Sequence, residues 1–220
     1  FFATVILLPF FLKGGGIKRF VSSNTKDVLI LVGVGIVLAI HFATWITSLG
    51  LTSVASSVLF VHIDPIFVAL VSHFYLNERI QTGTTIGIGL AFFGAAILAY
   101  GDASISTTSL LGDLLALIGA IMLGIYILAG RRLRQKLDLV SYVTPVYASS
   151  TITLIIASLA SGTSLWSYPP REILLFFVIA LVPMIFGHTV YNWTLRWLPA
   201  SLVSISLLGE PVGATILAYV

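Results

Sequence analysis

Two acid–proline pairs lie in stretches of sequence that carry almost no other charge. Asp64-Pro65 directly follows the uncharged residues 28–63, and Glu210-Pro211 interrupts an uncharged run at the far end of the chain. A carboxyl there can hold a proton or a cationic group, and the following proline removes a backbone hydrogen bond and kinks a helix. We predict ligand-binding or coupling carboxyls at Asp64 and Glu210, with hinges at Pro65 and Pro211. The alternative is a structural carboxyl, protonated and hydrogen-bonded to a neighbouring helix.

Imidazole and aromatic side chains at helical spacing form a second group of candidates. His41 and Trp45 are four residues apart, as are His188 and Asn192, so each pair would share a helix face. Aromatic faces attract cationic amines, and the polar groups beside them can orient a ligand. The candidate ligand-binding residues of this group are His41, Trp45, His62, His188, Tyr191 and Asn192. The alternatives are histidines satisfied within the core and, for Trp45 and Tyr191, aromatic residues of the membrane-interface belts.

The composition decides which elements must position these residues. Of 220 residues, 58% are apolar and 9% are charged, with a mean hydropathy of +1.09. Soluble domains carry about 25% charged residues, so this chain cannot build a water-facing surface.

We expect a lipid bilayer and a small molecule as partners, with no nucleic acid. No cofactor is expected, and no metal, because His62 and His73 lack a third ligand at suitable spacing and the chain has no cysteine.

Long apolar runs and the loops between them predict the membrane topology. Most runs are near the roughly 20 residues that span a bilayer as a helix, and the shorter run at 1–12 is interpreted as the end of a span. The predicted segments are 1–12, 28–49, 52–75, 83–100, 110–130, 141–161, 172–194 and 200–220. One set of alternate loops carries ten Lys and Arg residues and the other set carries one, which places the basic loops in the cytoplasm. We expect a multi-pass protein of a prokaryotic plasma membrane.

A shift of 146 residues aligns the two halves of the chain. Residues 45–49 fall on 191–195, and both acid–proline pairs coincide without a gap. Each copy contains an odd number of spans, so the copies are inverted across the membrane, as in many transporters.

The predicted fold is an all-α polytopic helix bundle with a 5+5 inverted repeat. Residues 1–100 form one repeat, 101–109 a linker and 110–220 the other. The shift also predicts one helix before residue 1 and one after residue 220, so we expect ten spans in total, eight of them wholly or partly present.

Several short motifs in order carry a resemblance to a known family. They are the run from Ala55 to Pro65, Leu76-Asn77-Glu78-Arg79, the Gly83 to Gly87 segment, and the run from Pro199 to Val212. The chain resembles the EamA repeats of the drug/metabolite transporter superfamily. The resemblance implies a ten-helix carrier with cytoplasmic termini and a central cavity. It also implies export of amino acids, other metabolites or drugs, with nucleotide sugars or phosphorylated sugars carried by related members.

The resulting functional prediction is a secondary transporter, not an enzyme, that works by alternating access and exports small metabolites such as amino acids, amines or drugs. Proton coupling through Glu210 is one possible driving force, and facilitated diffusion is another. A carrier of anionic metabolites is the alternative, although all eleven basic residues lie in or beside loops. An enzyme or a channel is a remote alternative, because H-E-x-x-H, G-x-S-x-G and filter-loop patterns are absent from the sequence.

Small residues are expected to let helices approach closely. Such residues recur in segment 110–130, at Gly112, Ala116, Gly119, Ala120 and Gly124. The Gly83-x-x-x-Gly87 pattern favours packing inside the bundle, with a homodimer face as the alternative.

Overall fold

The structure is a computed structural model that describes residues 1–21, 24–75, 107–166 and 168–209, together with scattered helical positions between 82 and 97. The predicted residues Glu210 and Pro211 lie outside the described residues, and so does most of the predicted linker 101–109.

Apart from turns and short connections the described residues are helical, in agreement with the predicted all-α helix bundle, and no strand occurs among them. The helices are α1 Phe2–Lys13, α2 Gly16–Val21, α3 Thr25–Ser48, α4 Val54–Val61, α5 Asp64–Tyr75, α6 Thr107–Leu133, α7 Leu139–Ala160, α8 Pro170–Ile179, a π-helical segment Ala180–Thr189, α9 Val190–Thr194 and α10 Ala200–Leu207.

Five stretches among the described residues are long and apolar enough to cross a membrane, by length and composition. They are Thr25–Ser48, Val54–Tyr75, Thr107–Leu133, Leu139–Ala160 and Pro170–Thr194. The ends differ from the predicted ones by a few residues. Helix α6, for example, continues past residue 130 through Arg131 and Arg132. Arginine is a good helix former, and a basic residue is favoured in the last turn by the helix dipole.

The span Pro170–Thr194 changes its winding in the middle. Its residues Ala180–Thr189 form a π-helix that contains Pro183. Proline cannot donate the α-helical hydrogen bond to the residue four positions before it, and its ring clashes with that carbonyl. The wider π turn relieves this conflict, and π segments inside helices occur frequently at functional sites.

The chain divides into two compact units. Unit one comprises Phe1–Ala39 and Ala129–Trp197, and unit two comprises Ile40–Leu128 and Leu198–Val220.

Helix α7 is the centre of packing in unit one. Helix α1 lies along it, with the hydroxyls of Thr4 and Thr151 3.2 Å apart. Helix α3 approaches α7 at Gly35, where an added Cβ would lie 2.5 Å from the carbonyl oxygen of Val146. The hydroxyl of Ser149 donates across the same contact to the carbonyl of Val32, at 2.9 Å. The two helices therefore meet backbone to backbone, which only glycine allows at this position.

Replacement of Gly35 by alanine is expected to destabilise the protein by about 1–3 kcal/mol, the usual cost of overpacking. The matched control is Gly33→Ala on the same helix, where an added Cβ meets nothing within 4 Å. There alanine should be neutral or stabilising, because it favours helix by up to about 1 kcal/mol over glycine. Thermal unfolding of the purified variants in detergent tests this, and equal midpoints for both would contradict the close contact.

Small residues of α6 organise unit two, as the sequence predicts. An added Cβ would lie 2.8 Å from Thr52 at Gly112 and 3.3 Å from Trp45 at Gly119. At Gly124 it would lie 2.5 Å from the ring of Phe67. These contacts bring α3, the turn after it and α5 onto α6. At Gly83 and Gly87 an added Cβ would meet nothing within 4 Å, so the expected packing of that pair is not found among the described residues.

Candidate substrate and coupling site

The first acid–proline pair begins a new helix in the middle of its span. Helix α4 ends at Val61, His62 and Ile63 form a turn, and α5 begins at Asp64. Pro65 lies in the first turn of α5, where a missing N–H costs no helical bond. An acidic side chain is also favoured there by the positive end of the helix dipole. The pair therefore interrupts the span by two residues, where the sequence predicted only a kink.

Asp64 is completely buried and hydrogen-bonded to another helix. One oxygen of its carboxyl, Oδ2, accepts a hydrogen bond from the hydroxyl of Ser204 on α10 at 2.5 Å, and both side chains are 0% exposed. Asp64 is ten residues from the start of α4 at Val54, or about 15 Å along a helix, which is about half of the hydrocarbon thickness. A carboxyl at that depth costs at least about 2.5–3.5 kcal/mol, so specific partners are required.

The buried face of α5 carries a second polar side chain. Asp64, Val68 and Ser72 are spaced by four residues and are all buried, so they lie along one side of the helix. The hydroxyl of Ser72 has no hydrogen-bond partner among the residues that the structure describes. A second polar group is therefore available two turns beyond the carboxyl.

His62 is held by the last turn of α4, the helix that ends at Val61. Its Nδ1 donates to the carbonyl oxygen of Val58 at 2.7 Å, because a carbonyl can only accept. This bond is the one expected of a satisfied core histidine. It also fixes the orientation of the ring at the break between α4 and α5.

His41 and Trp45 form a packed pair, as their spacing predicts. The two rings are stacked with centroids 5.8 Å apart, and Nδ1 of the buried His41 donates to the carbonyl of Gly119 at 2.9 Å. The indole Nε1 of Trp45 is buried and has no hydrogen-bond partner within the described part of the chain. The pair fastens α3 to α6, and the indole N–H remains as a buried donor beside it.

Asn192 belongs to a polar cluster in unit one. Its Nδ2 donates to the carbonyl of His188 at 2.6 Å. Asn192 Oδ1 and the hydroxyl oxygen of Tyr142 each lie 3.2 Å from the position that a Cβ on Gly130 would take. Gly130 therefore makes room for two buried polar groups beside α6. His188 and Tyr191 are half-buried.

Sequence reasoning missed several members of this cluster. The hydroxyl of Tyr147 donates to that of Thr189 at 3.1 Å, and Thr189 in turn donates to the carbonyl of Met184 inside the π segment. The sequence does indicate a polar cluster here, because residues 141–153 carry an unusually high number of hydroxyl side chains for an apolar span.

Arg134 is one of the basic residues that the sequence places in or beside loops, but it is buried, with 2% of its surface exposed. Its Nε donates to the carbonyl of Asn192 at 2.9 Å, and Nη1 donates to the carbonyl of Leu137. Arg131 donates to the carbonyl of Leu195 at 2.9 Å, and the side-chain amide of Gln135 donates to that of Arg196 at 3.1 Å. These side chains cap the end of α9, where helical carbonyls have no partner of their own.

The predicted residues therefore fall into two sets. His41, Trp45, His62 and Asp64 lie in unit two, and His188, Tyr191 and Asn192 lie in unit one. The single cavity that would unite them stays a prediction.

The five membrane-length spans define a polytopic helical membrane protein. One span is broken at a buried carboxyl, and another contains a π-helical segment. The sequence profile of the EamA-like transporter family matches residues 1–100 and 110–220, and the chain belongs to this family. The chain is similar to the uncharacterized transporter YoaV of Bacillus subtilis (strain 168), with 27% identity over 187 residues. That match covers 83% of this chain and 62% of YoaV, so the chain spans less than two thirds of its relative. No solved structure matches the chain.

Proposed function

We propose that the protein is a secondary transporter that exports small amine-bearing metabolites in exchange for protons. The observation that carries this proposal is the carboxyl of Asp64, buried in the middle of a membrane span at a helix break and bonded to Ser204. Such a group can hold a proton in one state and an ammonium group in the other. Intramembrane carboxyls commonly mark proton relays and substrate sites.

The helix bounds support an internal repeat. Helix α4 covers Val54–Val61 and α10 covers Ala200–Leu207, so both ends differ by 146 residues. The ends of α3 at Ser48 and of α9 at Thr194 differ by the same number. This number is the shift that aligns the two acid–proline pairs. We infer that two repeats move against each other in alternating access, with Asp64 and Glu210 at equivalent positions.

The charges near the candidate residues favour a cationic substrate group over an anionic one. Asp64 is the buried carboxyl at the helix break, whereas the buried Arg134 donates its hydrogen bonds to backbone carbonyls. An anionic substrate such as a nucleotide sugar would need basic side chains that point to it. We therefore propose amino acids, amines or related drugs as the substrate class.

The topology completes the proposal. Ten of the eleven Lys and Arg residues lie in or beside one set of alternate loops, and we place those loops in the cytoplasm of a prokaryotic cell.

An efflux screen tests the function directly. Proteoliposomes that contain the whole protein are loaded with a mixture of amino acids, amines and nucleotide sugars. Mass spectrometry then follows efflux with and without an inward proton gradient. We expect selective efflux of amine-bearing compounds that the gradient accelerates. Efflux of nucleotide sugars alone, or efflux at equal rates with and without the gradient, would overturn the proposed substrate class or the proposed coupling, respectively.

A further inference from the structure

An apolar groove opens on the surface of unit one. It has a volume of about 390 Å³ and lies between α1, α2, α3 and α7. Residues that line it include Leu8, Phe11, Phe20, Ile36, Ala148 and Ile152. Leu8, Ile36 and Ile152 are exposed, so the groove is open to whatever surrounds the helices.

The groove lies at the depth of one leaflet. On α7 its lining begins at Thr144 and extends to Thr153, five to fourteen residues after the helix start at Leu139. At 1.5 Å per residue this corresponds to about 8–21 Å below the end of the helix. The acyl chains of one leaflet occupy about 15 Å. The groove therefore matches the acyl chain of a lipid in the leaflet next to the basic loops.

Thr144 supplies a polar group at the shallow end of the groove. It lines the groove, is 3% exposed, and its hydroxyl has no hydrogen-bond partner among the described residues. A buried hydroxyl without a partner is costly, so a ligand that accepts its hydrogen bond is favoured. An ester carbonyl of a phospholipid lies just below the headgroup, at the depth of Thr144.

Two basic residues lie close in sequence to the groove lining, at the end where the headgroup of a bound lipid would lie. Lys13 follows the lining residue Phe11 by two positions, and Lys18 precedes the lining residue Phe20 by two. Both lysines are exposed, and neither is in an ion pair within the described ranges.

The neighbouring Arg19 is already neutralised. It is paired with Asp138, the residue that caps α7. Burial raises the pKa of Asp138, but hydrogen bonds from Ser141 and the charges of Arg19 and Arg134 outweigh this effect and hold that pKa below its usual value. Asp138 is therefore ionised near neutral pH, and the two lysines are the groups that can bind a phosphate.

We propose that this groove binds an anionic phospholipid, with one acyl chain in the groove, an ester carbonyl on the Thr144 hydroxyl and the phosphate near Lys13 and Lys18. This lipid site is independent of the proposed transport function.

Lipid retention tests the proposal. The whole protein is placed in bilayers of equal parts dioleoyl phosphatidylglycerol and dioleoyl phosphatidylcholine and is then extracted with mild detergent. Native mass spectrometry counts the lipids that remain bound. We expect retention of phosphatidylglycerol, unaffected by excess glycerol phosphate, because the acyl chain contributes to binding. Equal retention of both lipids would overturn the anionic preference, and displacement by glycerol phosphate would overturn the acyl-chain contact.

Variants locate the bound lipid. Ala148→Trp fills the groove and should reduce retention at least tenfold, whereas Ile156→Trp, at an exposed position of α7 that is not among the lining residues, should leave it unchanged. Thr144→Val keeps the shape of the side chain and should weaken retention about fivefold, the effect of one neutral hydrogen bond. It serves as the test if the tryptophan variant does not fold. Unchanged retention in the folded groove variants would overturn the site.

Charge variants complete the test. The double change Lys13→Gln and Lys18→Gln should remove the preference for phosphatidylglycerol, whereas Lys136→Gln, an exposed lysine of another basic loop, should preserve it. If Ala148→Trp abolishes efflux while lipid retention is unchanged, the groove binds a transported solute and the lipid proposal is wrong.

Discussion

Asp64→Asn is expected to reduce gradient-driven efflux at least about 30-fold, because asparagine cannot form the proposed ion pair with the ammonium group of the substrate, and loss of one partner of a buried charge pair costs about 2–5 kcal/mol. Asparagine keeps the shape of the side chain and an oxygen that can accept from Ser204, whose hydroxyl lies 2.5 Å from the carboxyl. It cannot take up and release a proton. The helix break should therefore persist while coupling is lost, and efflux assays with and without the gradient measure this.

Changes on α10 separate the role of the hydrogen bond from that of the carboxyl. Ser204→Ala removes the donor to Asp64 and should reduce efflux about 5- to 10-fold, as expected for one hydrogen bond of about 1–1.5 kcal/mol. Ser206→Ala is the matched control, because that hydroxyl donates at 2.6 Å to the carbonyl of Val203 in its own helix and the residue is exposed. Gradient-dependent efflux that survives in Asp64→Asn would show that Asp64 is a structural carboxyl.

The sequence alone predicts that Asp64 is a special residue but does not identify its partner. An acidic side chain after a long uncharged run must be buried in the membrane, and the following proline indicates a local change in the helix. Ser204 lies 140 residues away and is one of many hydroxyl residues in the apolar spans. A serine in a helix can satisfy itself on the backbone one turn earlier, so its type gives no sign of a distant contact.

Prolines illustrate a second limit of the sequence. Pro65 begins a new helix, Pro145 lies inside a continuous helix, and Pro183 lies inside a π segment. All three lack the backbone N–H, but the position of the proline in its helix and the surrounding packing decide how the chain adapts. At Pro65 the acid before it favours a helix start. At Pro183 no neighbouring residue type distinguishes a π segment from a simple kink.

Arg134 shows how a correct loop assignment can conceal a buried residue. The count of basic residues needs only the position of Arg134 between two spans, and the structure does place it after the end of α6 at Leu133. Its burial depends on the carbonyls of Asn192 and Leu137, which accept hydrogen bonds from the guanidinium. Contacts between segments 58 residues apart cannot be read from loop composition.

Arg134→Met is therefore expected to destabilise the protein by about 3 kcal/mol or more, because hydrogen bonds to a charged group contribute about 1.5–3 kcal/mol each and two are lost. Methionine fills much of the same volume, so the loss measures the missing donors rather than a cavity. Burial, with the nearby charge of Arg196, lowers the pKa of Arg134, although Asp138 and Tyr142 oppose this shift. Unfolding of the purified protein in denaturant, followed by circular dichroism, gives the change in free energy.

Two further variants decide whether the position of these donors matters. Arg134→Lys keeps the charge but cannot reach both carbonyls from one planar group, so it should recover less than half of the lost stability. Arg132→Met removes an exposed arginine two residues earlier and should change stability by less than about 0.5 kcal/mol. If Arg132→Met and Arg134→Met are equally mild, the end of α9 is held by Arg131 and Gln135, and the buried guanidinium is dispensable. A large effect of Arg134→Met alone would instead show that one residue of a basic loop joins two membrane spans.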